Sequence, residues 1–173
     1  MHLSELRSRF RSGFTLVELI AVLILIAIAA TSAAPVMDTV DRSRKAGIRD
    51  EVARRLMMAR SHAMTTGMPS GVRFDVDAQM AEGLEIASSG AAPSAMKMQG
   101  HGEAVDSMFA GVAIESVVLD GGGSYDTVWF SNEGAPHYRT GGGVYVGAFT
   151  QDAVVTVSGG GTVTVRMVSG MIE

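Results

Sequence analysis

From Leu19 to Ala34 the chain carries no charged side chain, and Glu18 stands at the edge of that run. Counted from Phe14 to Ala34 the apolar stretch has 21 residues, which as a helix at ~1.5 Å per residue would reach ~31 Å, the thickness of a bilayer's hydrocarbon core. The sequence predicts a transmembrane helix over 14–36. A carboxylate inside such a segment costs roughly 2.5 to 3.5 kcal/mol on insertion scales, so residues of this kind have an intramembrane task. Glu18 is therefore the first candidate functional residue.

Arg7, Arg9 and Arg11 precede the span and the next basic residue is Arg42. By the positive-inside rule the N terminus lies in the cytoplasm and the rest outside, a single-pass topology. Two plainer readings compete. A cleaved secretory signal would use the small residues Ala30, Thr31, Ser32, Ala33 and Ala34, and a simple signal anchor would need no cleavage. Neither accounts for Glu18 or for the Gly13-Phe14 junction ahead of the apolar core.

At 173 residues there is room for one membrane segment and one modest soluble domain. With no cysteine, disulfides, thiolate metal sites and a cysteine nucleophile are excluded. The net charge of −4 is unevenly spread. The leader through Gly13 is +2; residues 38–66 carry seven basic and four acidic side chains; from Gly67 onward twelve acidic residues oppose Arg73, Lys97, Arg139 and Arg166, for −8. An acidic head argues against nucleic-acid binding, which needs clustered Lys and Arg to neutralise phosphates.

Between Val36 and Thr66 there is no proline, and Gly67 and Pro69 supply a stop, so one helix is expected to continue from the span through 37–66. Pro35 marks the membrane exit, either as a simple boundary or as a point where the helix can bend or open. Asp38 with Arg42, Asp41 with Lys45, Asp50 with Arg54 and Glu51 with Arg55 are i,i+4 pairs that let a polar neck stand in water. From Ile48 onward, Ile48, Val52, Leu56, Ala59 and Ala63 form an amphipathic stripe that should pack on a sheet. Met57, Met58 and Met64 lie partly off it, as edge packing or subunit contacts. Beyond Gly67 the period changes to alternation. Strands are predicted at 72–76, 84–86, 112–119, 127–130, 143–146, 153–157 and 162–168, the last two joined by a turn at Ser158-Gly159-Gly160-Gly161. Residues 87–107 read as a long loop. The expectation is an α+β protein, a long N-terminal helix on an antiparallel β-rich head over 67–173.

Catalytic signals are weak. His2, His62, His101 and His137 show no metal-ligand spacing. Asp120 to Asp126 reads as a flexible turn rather than a calcium loop. The glycine triplets at 121–123, 141–143 and 159–161 lack the Lys-Ser/Thr of a phosphate loop, and no Gly-x-Ser-x-Gly elbow is present. Neither metal nor cofactor is expected. Trp129, Tyr138, Tyr145 and Phe149 supply either an aromatic contact surface or, as alternate members, the sheet core. Arg139 and Arg166 would make a DNA contact only if they were neighbours in the fold.

Gly13, the Phe14-Thr15-Leu16-Val17-Glu18 string and the apolar run together resemble the class III signal of type IV pilins and type II secretion pseudopilins, over about residues 7–36. The head resembles the H-type minor pseudopilins and the related minor pilins of the GspH/FimT group. That similarity rests on strand order, on Phe130 to Pro136 as a strand followed by a turn, and on the closing valine-rich hairpin. It implies that a prepilin peptidase cuts after Gly13, removing the leader 1–13, and methylates the amino group of Phe14. It further implies that Glu18 meets the amino terminus of a neighbouring subunit, and that Pro35 falls where many pilins carry proline. The implied partners are the peptidase, other major and minor pseudopilins or pilins, and an inner-membrane assembly platform. The implied location is the inner membrane with a periplasmic head, in a pseudopilus and near its tip. A non-catalytic minor pseudopilin of type II secretion is the reading that follows. Its rivals are a minor type IV pilin for adhesion, twitching or DNA uptake, and a membrane-anchored periplasmic binding or enzymatic domain.

Overall fold

A computed structural model describes residues 15–87, 91–96, 105–109, 111–119 and 126–173, excepting the side chains of 32–36, 106 and 107. The chain divides into two compact units, Met1–Val40 and Asp41–Glu173. Helix α1 runs Leu16–Thr66, so its residues belong to both. In the first unit every described side chain is exposed, among them Leu16, Leu19, Leu23, Ile26 and Ile28. Among the described residues no helix is long and apolar enough to cross a membrane.

In the second unit α1 behaves as its periodicity requires. Ile48, Val52, Leu56, Ala59 and Ala63 are all fully buried, and covering a Val, Leu or Ile contributes about 1.5–3 kcal/mol each. One residue breaks the apolar rule: Arg55 is 2 % exposed within this interface. Its Nε donates to Glu51 at 2.7 Å and its Nη1 to the Ala81 carbonyl, so the buried cation is paired and hydrogen-bonded. Glu51 also accepts from Arg54 at 2.7 Å. The expected Asp50–Arg54 pair is thus replaced by an i,i+3 pair, and Asp41 pairs with Arg44 at 3.8 Å rather than with Lys45.

The strands are β1 (Ser70–Asp75), β2 (Met80–Glu85), β3 (Ser94–Ala95), β4 (Ile114–Val118), β5 (Thr127–Phe130), β6 (Pro136–Arg139), β7 (Tyr145–Ala148), β8 (Ala153–Val157) and β9 (Gly161–Val165), with a short helix α2 (Val105–Met108) before β4. They form a six-stranded sheet in the order β3-β2-β1-β5-β6-β7 and a three-stranded sheet β4-β8-β9, with every pairing antiparallel. Val72, Phe74, Val128 and Phe130 of the larger sheet and Val155, Val157, Val163 and Val165 of the smaller one share a core with the α1 stripe. On the larger sheet's other face Leu84, Ile86 and Trp129 form a separate small cluster.

The α+β class, the stripe and the β8–β9 hairpin agree with the sequence reading. That hairpin turns through Gly159 and Gly160 at φ +85° and +78°, the left-handed pair that glycine adopts without penalty. Two expectations are corrected. Residues 87–107, read as loop, contain β3 and the start of α2. The turn expected to end at Pro136 instead gives way there to β6 (Pro136–Arg139), whose run of three buried residues in four shows no alternation to register.

Gln79 joins the two sheets. It is non-glycine at φ +54°, in the β1–β2 turn, and its side-chain amide substitutes for a strand partner. It accepts from Ile114 N at 2.7 Å and donates to Ile114 O at 3.1 Å. Replacing Gln79 with Ala orphans both groups at the start of β4. We expect a loss of about 1–3 kcal/mol in urea unfolding followed by Trp129 fluorescence; an unchanged midpoint would show that β4 needs no such pin.

Candidate functional site

At the start of α1, Thr15 and Glu18 form a reciprocal cap. The Glu18 amide donates to the Thr15 hydroxyl at 3.2 Å, while the Thr15 amide and hydroxyl each donate to the Glu18 carboxylate at 3.3 Å. This is a Thr-x-x-Glu capping box, with the acidic group at the positive end of the helix dipole. The motif stands in the sequence as T-x-x-E, beside the stronger signal of a carboxylate at the edge of an apolar run. The cap turns the exposed carboxylate back toward the residue that follows Phe14. Gly13 and Phe14 lie outside the described residues; Pro35 lies within α1, with its side chain outside the description.

In the head the candidate side chains disperse. His62 is bonded to Glu85 at 2.8 Å, a helix-to-strand tie. Among the described residues no group of three or more His, Cys, Asp or Glu could hold a metal ion; His2, His101 and residues 120–125 lie outside the description. Arg139 and Arg166 do not share partners. Arg166 pairs with Asp152 and Glu173, both at 2.8 Å, closing the C-terminal segment. The Met167 amide and then Arg166 hold the Asp152 carboxyl below its usual range. Arg60, which no sequence pattern singled out, ties α1 to the Gly134 carbonyl at 3.2 Å and the Ser169 carbonyl at 3.0 Å. Of the aromatics, Tyr138 and Phe149 are in the core, their ring centroids 4.3 Å apart. Trp129 is buried on the other face of the sheet, and Tyr145 is exposed. Met57 and Met58 line an open groove on α1 with Asp50, Ala53, Arg54 and Ser61.

His137 and Arg139 form a small polar group on the outer face of β6. Arg139 Nε donates to His137 Nε2 at 2.7 Å and its Nη1 to the Gly143 carbonyl at 2.7 Å, and its guanidinium lies 6.0 Å from the centre of the Tyr145 ring. Accepting at Nε2 requires a neutral imidazole protonated at Nδ1. Burial, and then the charge of Arg139, lower the His137 pKa to about 4.

An apolar helical segment with a capped carboxylate at its start continues into a helix that packs on an antiparallel head, an α+β architecture found in solved pseudopilin structures. Residues 8–34 match the family described as the prokaryotic N-terminal methylation motif. More particularly, the fold is similar to that of the minor pseudopilin EpsH from the type II secretion system of Vibrio cholerae. In one solved structure of EpsH the TM-score is 0.52 at 14 % identity, covering 75 % of this chain and 94 % of that one. In a second it is 0.52 at 13 % identity, covering 76 % and 92 %. No curated protein sequence matches the chain.

The folded-state pKa of His137, about 4, lies below the ordinary 6.5, so in that window the unfolded chain binds the proton and the folded one does not. The stability is complete above pH 6.5 and is lost as pH falls toward 4, by an amount on the order of 3 kcal/mol. Chemical denaturation at a series of pH values should show this acid arm flattened in His137→Gln; an identical arm in both proteins would place the titration elsewhere.

Proposed function

We propose that the chain is a non-catalytic minor pseudopilin: inserted in the inner membrane through 14–36 with its head in the periplasm, cut after Gly13, methylated at Phe14, and assembled through its apolar helix into a type II secretion pseudopilus. The observation that carries this is the methylation-motif match over 8–34 in the same chain as a head with the fold of a minor pseudopilin. The exposed apolar side chains of the first unit support it, because a row of this kind needs lipid or neighbouring helices to cover it. An uncharged run continuing through Ala34 gives that row the length of a span.

In this reading Glu18 pairs with the amino group of a neighbouring subunit's first residue, each charge offsetting the other's desolvation. The Thr15 cap presets the carboxylate toward the helix N terminus before the neighbour arrives. Glycine at 13 suits the cut, since no side chain obstructs entry of the backbone into the peptidase. Co-expression with a prepilin peptidase should yield a mature chain beginning at N-methylated Phe14, read by intact-protein mass spectrometry. Gly13→Leu should leave the precursor uncut. Retention of the leader by the unaltered chain, or normal maturation of Gly13→Leu, would overturn the assigned site.

A further inference from the structure

The outer face of the six-stranded sheet bears a cleft of roughly 480 Å³ whose lining includes Arg73, Pro93, Asp126, Trp129, Arg139 and Thr140. Trp129, 2 % exposed, packs in a cluster with Leu84 and Ile86. The two arginines differ. Arg73 is neutralised by Glu82 across the β1–β2 pair. Arg139 is held by neutral acceptors, the His137 ring and the Gly143 carbonyl, and among the described residues it has no carboxylate within ion-pair distance. Nε and Nη1 are used for positioning, which leaves part of a five-donor fork available. Gly143, at φ +85°, is what brings its carbonyl there, and a Cβ at that position would come within 2.8 Å of the Ala91 carbonyl. A half-buried guanidinium fixed in this way is preorganised for a planar anion.

We propose that this cleft receives a carboxylate presented by a partner protein on an extended segment, with Arg139 as the anion-binding group and Trp129 as the floor. The charge state selects a carboxylate over phosphate: Glu82 and Asp126 line the same cleft and would repel a second negative charge. The extended form follows from the cleft's position. It ends at the β6–β7 turn, and β7 is an edge of the sheet, with Val144, Tyr145 and Val146 exposed at 60 %, 56 % and 50 %. An edge strand unpaired on one side among the described residues, with exposed apolar side chains, accepts an added strand, its backbone giving affinity and side-chain pockets giving specificity. This inference concerns the head and does not rest on the assembly reading.

Trp129 is the chain's one tryptophan, so under native conditions tryptophan fluorescence comes from a residue of the cleft. The full chain in detergent micelles would be titrated with the capped peptide acetyl-Val-Thr-Glu-Val-amide, its Gln analogue, and sodium acetate. The expected result is a saturable fluorescence change with the Glu peptide binding at least tenfold more tightly than the Gln peptide. Arg139→Gln should erase that preference, and Arg166→Gln should keep it. Equal affinity for the two peptides, or no saturable change up to about millimolar concentration, would overturn the proposal without any variant being made. Acetate matching the Glu peptide at equal concentration would overturn the extended-segment part.

Discussion

The head depends on one interface, the burial of the α1 stripe from Ile48 to Ala63 against both sheets. Neither sheet covers its own inner face; Val72 and Phe130 of one and Val155 and Val163 of the other meet in the core that the stripe completes. Arg55 makes the interface specific as well as adhesive. Its buried charge is satisfied only where Glu51 and the Ala81 carbonyl are both in reach, which disfavours a helix shifted along the sheet. Burial pushes the Glu51 carboxyl up, and the bonds from Arg54 and Arg55 overcome this and hold it below its usual range.

The same helix carries a second, different surface in the first unit, where the apolar side chains of Leu16, Leu19, Leu23 and Ile26 are exposed. A soluble domain would not be expected to leave such a row uncovered. Under the proposed assembly it is the bilayer, then the helices of neighbouring subunits, that cover it. Glu18 is then the polar exception on an apolar helix, as Arg55 is in the head, each a charged group whose cost restricts the arrangements available.

The elements legible in the sequence were those with a sustained period. Five stripe residues spaced over four turns of helix left little ambiguity, and a valine-rich pair of strands around three glycines specified its own hairpin. Less legible were features that depend on a distant partner. Gln79 gains its role from Ile114, 35 residues away, and Arg60 from carbonyls at Gly134 and Ser169. Strand β6 has three buried residues in a row among its four, which leaves no alternation to read. Along α1, opposite charges at both i,i+3 and i,i+4 are available: the expected Glu51–Arg55 pair forms, and the other pairs, Glu51–Arg54 and Asp41–Arg44, are at i,i+3. At the candidate site the Thr15 cap was present as a motif yet hidden by the stronger signal of its own carboxylate, and Gly13 and Phe14 are carried by the motif alone.

The central claim, that this carboxylate sets the position of one subunit against the next, can be measured because the chain has no native cysteine. Leu16→Cys, co-expressed with a major pseudopilin carrying single cysteines in series along its apolar helix, would be oxidised in the membrane and the cross-linked pairs quantified. The account predicts cross-links concentrated at one partner position and spread over several when Glu18 is replaced by Gln. A distribution that is the same with and without the carboxylate would contradict it.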